Sequence, residues 1–271
     1  MPVVPEIDAN GSVLLVQLTD SHLFADAQGK LASVATADSL RRVVSLVLDE
    51  QPQIDLLLAT GDISQDETIE SYQRFRQLCE PVRAPARWCP GNHDETGAMR
   101  EASRGSELME PVVQVGAWRV VMLDTLVAGS VGGKLAVSQL QLLERALEEA
   151  PGIHHLVCLH HHPVPIGSRW MDGIGLANPE ALFEVLDRHA NVRALLWGHI
   201  HQEFDDWRNG VRLLASPSTG VQFEPLSERF RISAQPPGYR WLRLHADGRL
   251  ETGVSRISAQ EFSIDCDVSG Y

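Results

Sequence analysis

Short apolar runs that end in polar punctuation recur along this chain. Val13–Leu18, Leu56–Ala59, Arg87–Cys89, His155–Leu159 and Ala194–Trp197 are each largely hydrophobic and bounded by Gly, Asp or Pro. Runs of this length predict strands buried on both faces. Further strands are expected at Trp118–Leu123, Arg212–Ala215 and Arg240–His245. Between them lie segments with a helical apolar period. Leu40, Val43, Val44, Val47 and Leu48 form one stripe, with Asp38 placed to cap it; Ile69, Tyr72, Phe75 and Leu78 form another behind Asp66. Ser138 and Gln141 have capping-box spacing ahead of Leu140, Leu143 and Leu147. Asn178-Pro179 supplies an N-cap and a first-turn Pro for the helix carrying Leu182, Val185 and Leu186. Strand and helix alternate through the first half and strands dominate afterwards. That order predicts an α/β fold of two packed sheets flanked by helices.

The residues directly after the first five runs carry the chemistry. They are Asp20-Ser21-His22, Gly61-Asp62, Gly91-Asn92-His93-Asp94, His160-His161-His162-Pro163 and Gly198-His199-Ile200-His201. Open α/β sheets gather their ligands at the carboxyl ends of strands. In extended chain, side chains two apart share a face, so Asp20 with His22, and the His199/His201 pair, can each reach an ion together. Asp62, alone after its Gly, suits a carboxylate with one oxygen on each of two ions, and Asn92 offers a neutral oxygen. Any one cluster alone reads as a turn, a helix cap or a solvated loop. Five of them, each following an apolar run, predict a binuclear metal site. A donor set rich in His, with Asp and Asn and no Cys, points to Mn, Fe or Zn rather than to a structural zinc knot.

The pattern D-x-H, GD, GNHD, H…P and GHxH resembles the calcineurin-like metallophosphoesterase superfamily. Leu159–Pro165, Ser168–Asn178, Gly198–Glu203, Leu214–Phe223 and Pro237–Gly248 are further similar to the bacterial class III 3′,5′-cyclic AMP phosphodiesterases of the CpdA type. The likeness covers residues 13–250, roughly. It implies an αββα sandwich of two mixed sheets, with one metal on Asp20, His22, Asp62 and His201 and a second on Asp62, Asn92, His160 and His199. Of the three consecutive histidines, His160 aligns with the family's ligand, leaving His161 and His162 behind it. His93 matches the family's non-ligating histidine beside the phosphate, oriented by Asp94. Catalytic roles are thereby implied for Asp62, Asn92 and His93, and substrate contacts for His22, Asp62, Asn92, His93 and His201.

Composition limits the function. The chain has 271 residues, 44% hydrophobic and 22% charged, enough for a sizeable core. Ligands drawn from positions 20 through 201 favour one domain over two: a single metallophosphoesterase domain spanning 1–271, with its core at 13–250 and a polar tail at 251–271 that could contact a second copy. A formal charge of −13 argues against duplex nucleic acid as partner. Two bound cations would make the site electropositive despite that charge. Cys79, Cys89, Cys158 and Cys266 lack C-x-x-C spacing, so no disulfide framework is expected, and Cys89 and Cys158 read as small buried hydrophobes. The first residues show no signal-peptide pattern, and no apolar stretch is long enough to span a bilayer, so a cytoplasmic monomer or homodimer is expected.

The expected reaction is hydrolysis of 3′,5′-cyclic AMP to 5′-AMP by a hydroxide bridging two cations (Fe, Mn or Zn) about 3.5–4 Å apart. An alternative keeps the metals but takes another small phosphodiester, such as a glycerophosphodiester or a 2′,3′-cyclic nucleotide. A third, in which the fold serves only as a protein-binding scaffold, is disfavoured because every ligand position is filled. Trp170 and Met171, in the loop after His160, could wall the nucleoside side of the pocket or simply pack, and Ser216–Phe223 could be a second wall or a turn.

Overall fold

The computed structural model describes residues 11–266. From the start run β1 (Val13–Leu18), a short hairpin of β2 (Lys30–Leu31) and β3 (Val34–Ala35), α1 (Thr36–Glu50), β4 (Leu56–Ala59), α2 (Ile69–Cys79), β5 (Ala86–Trp88) and α3 (Thr96–Ala102). The middle holds β6 (Val112–Val115), β7 (Trp118–Met122), α4 (Val137–Glu148), β8 (His154–Cys158), α5 (Arg169–Asp172), α6 (Pro179–Leu186) and β9 (Val192–Trp197). Strands then take over: β10 (Phe204–Arg208), β11 (Val211–Ala215), short β12 (Gln222–Phe223) and β13 (Ile232–Ser233), β14 (Gly238–Leu244) and β15 (Leu250–Arg256).

Two mixed sheets face each other. One has the order β15-β14-β1-β4-β5, the other β10-β11-β9-β8-β7-β6. β1, β4 and β5 run parallel, as do β7, β8, β9 and β11. The period-2 alternation of each strand splits its side chains between two cores. Val13, Leu15, Leu56, Leu58, Leu156, Cys158, Ala194 and Leu196 point inward and fill the space between the sheets. Val16, Leu18, Leu57 and Ala59 point the other way, onto the apolar stripes of α1 and α2. Val157, Leu159, Leu195 and Trp197 do the same toward α4 and α6. Both faces of the central strands are therefore covered, which is why their sequences read as unbroken apolar runs, and the layers are those of an αββα sandwich. Cys89 and Cys158 are free thiols buried in the inter-sheet core.

Several local expectations are corrected. The core does not stop at 250. Leu250–Arg256 pair with the whole of β14, from Gly238↔Arg256 to Leu244↔Leu250, as the outer strand of the first sheet. Its half-exposed Glu251, Thr252 and Ser255 gave it the polarity of a tail. Beyond it Phe262 and Ile264 pack onto the cores, and Asp265 N–H donates to Ser33 Oγ at 3.0 Å; positions 267–271 lie outside the described residues. The caps differ too. α1 starts at Thr36, so Asp38 lies within its first turn and pairs with Arg41 and Arg42. Thr68 caps α2, accepting from Ser71 N–H, while Asp66 instead accepts from Ala25 N–H and the Thr68 hydroxyl. α4 follows Ala136 without a side-chain cap, leaving Ser138 and Gln141 inside the helix. Asn178 does stand at the N-cap of α6 before Pro179, but its carboxamide bonds Leu135 rather than the helix end.

His155, fully buried in β8, couples stability to pH. Burial lowers its pKa from 6.5 to about 4. The unfolded chain takes up the proton near 6.5 and the folded protein resists it, so this contribution is intact above pH 6.5 and is lost as pH falls toward 4. Between pH 7 and pH 5 the loss is expected to be about 2 kcal/mol. Urea unfolding of His155→Leu at the two pH values should show that much less pH dependence than the parent; equal slopes would refute the assignment.

Candidate metal centre

The carboxyl ends of β1, β4, β5, β8 and β9 converge at one end of the sandwich, and the polar clusters sit there. Their side chains do not converge by extended i, i+2 geometry, as the sequence suggested. Asp20, His22, Asp62, His199 and His201 all have positive φ, between 45° and 67°. Asp and His are among the few residues that tolerate this left-handed region, at about 1 kcal/mol or more each. Each turn swings a ligand off the strand line toward the centre. The glycines of the motifs are required by close approach. Gly61 has φ 99°, and a Cβ there would overlap the His160 ring and the backbone of Gly91; one on Gly198 would overlap Thr19 and the Asp20 carboxylate.

Four overlapping groups place potential ligand atoms within 4.8 Å of one another: Asp20, His22 and His201; Asp20, Asp62 and His160; His22, Asp62 and His93; and His160, His161 and His199. His201 Nε2 lies 3.4 Å from Asp20 Oδ1 and 3.2 Å from His22 Nε2. His160 Nε2 lies 3.3 Å from Asp62 Oδ2 and 3.2 Å from Asn92 Oδ1. Asp62 does not divide its oxygens as expected. Oδ1 accepts the His93 backbone N–H at 2.8 Å, while Oδ2 alone faces both His160 and His22, the latter at 3.8 Å. His93, half-buried, sets its ring edge-on to His22 with centroids 4.9 Å apart, at the margin of the cluster.

Backbone carbonyls decide which imidazole nitrogens can bind a cation. A carbonyl only accepts, so the nitrogen facing it carries the proton and the other bears the lone pair. His201 Nδ1–H donates to Val221 O at 2.7 Å and His160 Nδ1–H to Thr60 O at 2.8 Å. His22 Nδ1–H donates to Gln65 Oε1 at 2.7 Å, and His199 Nε2–H to Ile174 O at 3.1 Å. The Nε2 lone pairs of His22 and His201 therefore meet at 3.2 Å beside a carboxylate. Acceptors crowded this way in a buried site call for positive charge between them. The donor set fits metal ions.

The electrostatics agree. Burial raises the carboxyl of Asp20, but His201 and His160 outweigh it and hold its pKa below the ordinary value; Asp62 is held well below by His160 in the same way. Burial pushes the imidazolium of His22 down to about 3. At His160 burial acts in the same direction, yet Asp62 and Asp20 reverse it and bring the value up to about 9. That proton stands where a cation would otherwise neutralise the carboxylates, so metal binding should release it.

The structure thus brings Asp20, His22, Asp62, Asn92, His93, His160, His199 and His201 to one place, with three changes of role around them. Asp94 accepts from the backbone N–H groups of Gly91, Ser64 and Ile63, tying the Asn92 loop to the Asp62 loop. His161, fully buried, joins His160 and His199 as a possible donor, its Nδ1 bonded to Thr125 Oγ1 at 2.8 Å. Trp170 packs edge-on against Phe223 and Phe230. The segment from Ser216 to Phe223 backs the site: Ser218 Oγ–H donates to Asp20 O, Val221 O holds His201, and Phe223 stacks on the His201 ring at 4.1 Å. Main-chain carbonyls as imidazole partners leave no mark in a sequence, and Gln65 stands in an ordinary-looking loop.

Residues 14–203 match the calcineurin-like phosphoesterase family. Over 267 residues the chain is 57% identical to the 3′,5′-cyclic adenosine monophosphate phosphodiesterase CpdA of Pseudomonas aeruginosa, covering 98% of this chain and 97% of that protein. It is 43% identical over 263 residues to the protein of the same name from Escherichia coli K12, covering 96% and 95%. A dimetal phosphatase from Danio rerio superposes with a TM-score of 0.63 at 17% identity, covering 91% of this chain and 99% of that one, a likeness of fold. By family match, near-full-length relatives and fold together, the chain belongs to the calcineurin-like phosphoesterases.

Proposed function

We propose that this protein hydrolyses 3′,5′-cyclic AMP to 5′-AMP and so lowers the level of that nucleotide in the cytoplasm. The reading is carried by the 57% identity, over nearly the whole of both chains, to a 3′,5′-cyclic AMP phosphodiesterase. One domain does the work. Asp20, His22, Asp62 and His201 would hold one ion and Asp62, Asn92, His160 and His199 the other, iron or manganese by preference and zinc as an admissible substitute. Bound there, two such ions supply Lewis-acid charge to a phosphodiester and lower the pKa of a coordinated water.

The rest falls to the chain's own groups. Asp62 Oδ2 faces His22 and His160 together, so this carboxylate would serve both ligand sets. Asn92 contributes a neutral oxygen to a centre already carrying two carboxylates, and its amide group can donate to a phosphoryl oxygen. His93 stands at the margin, a ring nitrogen within 4.8 Å of a carboxylate oxygen of Asp62, and its imidazole would deliver the proton to the departing 3′-oxygen. His93→Gln is expected to lower kcat by about 10²-fold with metal content unchanged; undiminished turnover would remove His93 from the reaction.

The function itself is tested on a panel at fixed Mn²⁺: 3′,5′-cyclic AMP, 3′,5′-cyclic GMP, 2′,3′-cyclic AMP and a glycerophosphodiester, with products separated by chromatography. The highest kcat/KM should belong to 3′,5′-cyclic AMP, with 5′-AMP as product. A glycerophosphodiester or 2′,3′-cyclic nucleotide turned over faster would assign the protein to another substrate.

A further inference from the structure

Directly beneath the cluster lies a chain of buried polar groups that contributes no ligand. Gln17, in β1 among Leu15, Val16 and Leu18, is fully buried where its neighbours are apolar. Three hydrogen bonds engage its carboxamide. Nε2–H donates to Thr60 Oγ1 at 2.6 Å and to Trp197 O at 3.1 Å, and Oε1 accepts from the hydroxyl of Ser216. Thr60 passes its own proton to Thr19 Oγ1 at 2.8 Å. Ser216 in turn accepts from Arg240 Nε at 3.3 Å. Arg240 is itself fully buried, its guanidinium donating to Ala215 O, Phe204 O and Thr252 Oγ1. Among the described residues no carboxylate forms an ion pair with it.

The three partners of Gln17 lie where the ligand loops begin. Thr60 precedes Gly61-Asp62, and its carbonyl holds His160 Nδ1–H. Trp197 precedes Gly198-His199. Ser216 opens the segment whose Ser218 bonds the Asp20 carbonyl and whose Val221 carbonyl holds His201. Thr60 directly follows β4 of the first sheet; Trp197 ends β9 and Ser216 directly follows β11, both of the second. We propose that Gln17 is a positioning residue for the metal centre, its carboxamide bridging the two sheets where the Asp62, His160 and His199 loops leave them, so that both ligand sets keep one spacing. Two donors and an acceptor on one planar group are what this junction needs, and only Asn or Gln carries them. Polarisation by the buried Arg240 cation strengthens each bond along the row. The proposal rests on the binuclear reading of the site.

The test is manganese binding to chelator-stripped protein, followed by calorimetry and by electron paramagnetic resonance, whose line shape reports the coupling between two close Mn²⁺ ions. Wild-type protein should bind two ions with a coupled spectrum. Gln17→Met, close in volume but without the bonds, should bind at least one ion about ten- to a hundred-fold more weakly and lose the coupled signal. Wild-type affinity and an unchanged spectrum in Gln17→Met would overturn the proposal. Should that variant fail to fold, Thr60→Val and Thr60→Ser decide: weaker, uncoupled binding in Val with wild-type behaviour in Ser supports the bridge, and identical behaviour of the pair refutes it. Wild-type protein binding fewer than two ions would bring down the binuclear reading, and this proposal with it, whatever the variants do.

Discussion

Asp62→Ala is expected to lower kcat/KM for 3′,5′-cyclic AMP by about 10³-fold or more, equivalent to about 4 kcal/mol of transition-state stabilisation. It should also reduce the metal content from two ions to one at most. Asp20, His22 and His160 also belong to two groups each, but in the proposed assignment only Asp62 serves both ions. Asp62 appears in the group with Asp20 and His160 and again in the group with His22 and His93, and a single oxygen, Oδ2, faces both sides. Its other oxygen fixes the His93 loop through a backbone bond of 2.8 Å, so the same change disturbs the proposed proton donor. Elemental analysis beside steady-state kinetics checks both parts. A variant that kept two ions and lost less than tenfold in kcat/KM would show that Asp62 is not the shared ligand.

Removing the metals should be felt by the fold as well as by the chemistry. Chelation is expected to abolish hydrolysis and to lower the thermal midpoint by about 10 °C or more, with both restored by added Mn²⁺. An ion held at a thousandfold excess over its Kd stabilises the native state by about 4 kcal/mol, and for a chain of this size each kcal/mol is worth about 2–4 °C. Without cations, Asp20 and Asp62 are offset only by the His160 proton and by backbone N–H groups, and five left-handed residues keep their strain without the metal bonds that would repay it. Scanning calorimetry before and after chelation provides the check. Identical midpoints would mean that the pocket is held by protein contacts alone.

Much of this was legible in the sequence, for identifiable reasons. Central strands covered on both faces read as apolar runs, so β1, β4, β8 and β9 were found to within two residues. The five clusters were found because metal ligands are drawn from a small alphabet and stand at strand ends. What stayed hidden depends on groups that write nothing distinctive. β15 has one sheet neighbour and half-exposed side chains, and its Glu251, Thr252 and Gly253 look like loop. Asp38 and Asp66 resembled caps because acidic residues suit a first turn in general, whereas Ala35 and Thr68 hold the cap positions. Gln17 interrupts an apolar strand with a polar residue; only contacts between strands 40 to 200 positions apart explain it. The left-handed turns at Asp20 and His22 could not be read from an Asp-x-His spacing that extended chain would serve equally well.

The neighbour of β1 on its outer side is β14, paired from Val13↔Leu244 to Gln17↔Arg240. The strand that delivers Asp20 and His22 therefore gains its second partner only from a segment more than 200 positions further along the sequence. During synthesis the chain as far as β14 must leave the ribosome before that strand can be flanked on both sides, and such distant pairing makes for slow folding. Until then the nascent protein exposes an unpaired apolar edge beside its earliest ligands, an interval in which chaperone protection and the timing of metal delivery would govern how much active enzyme a cell obtains.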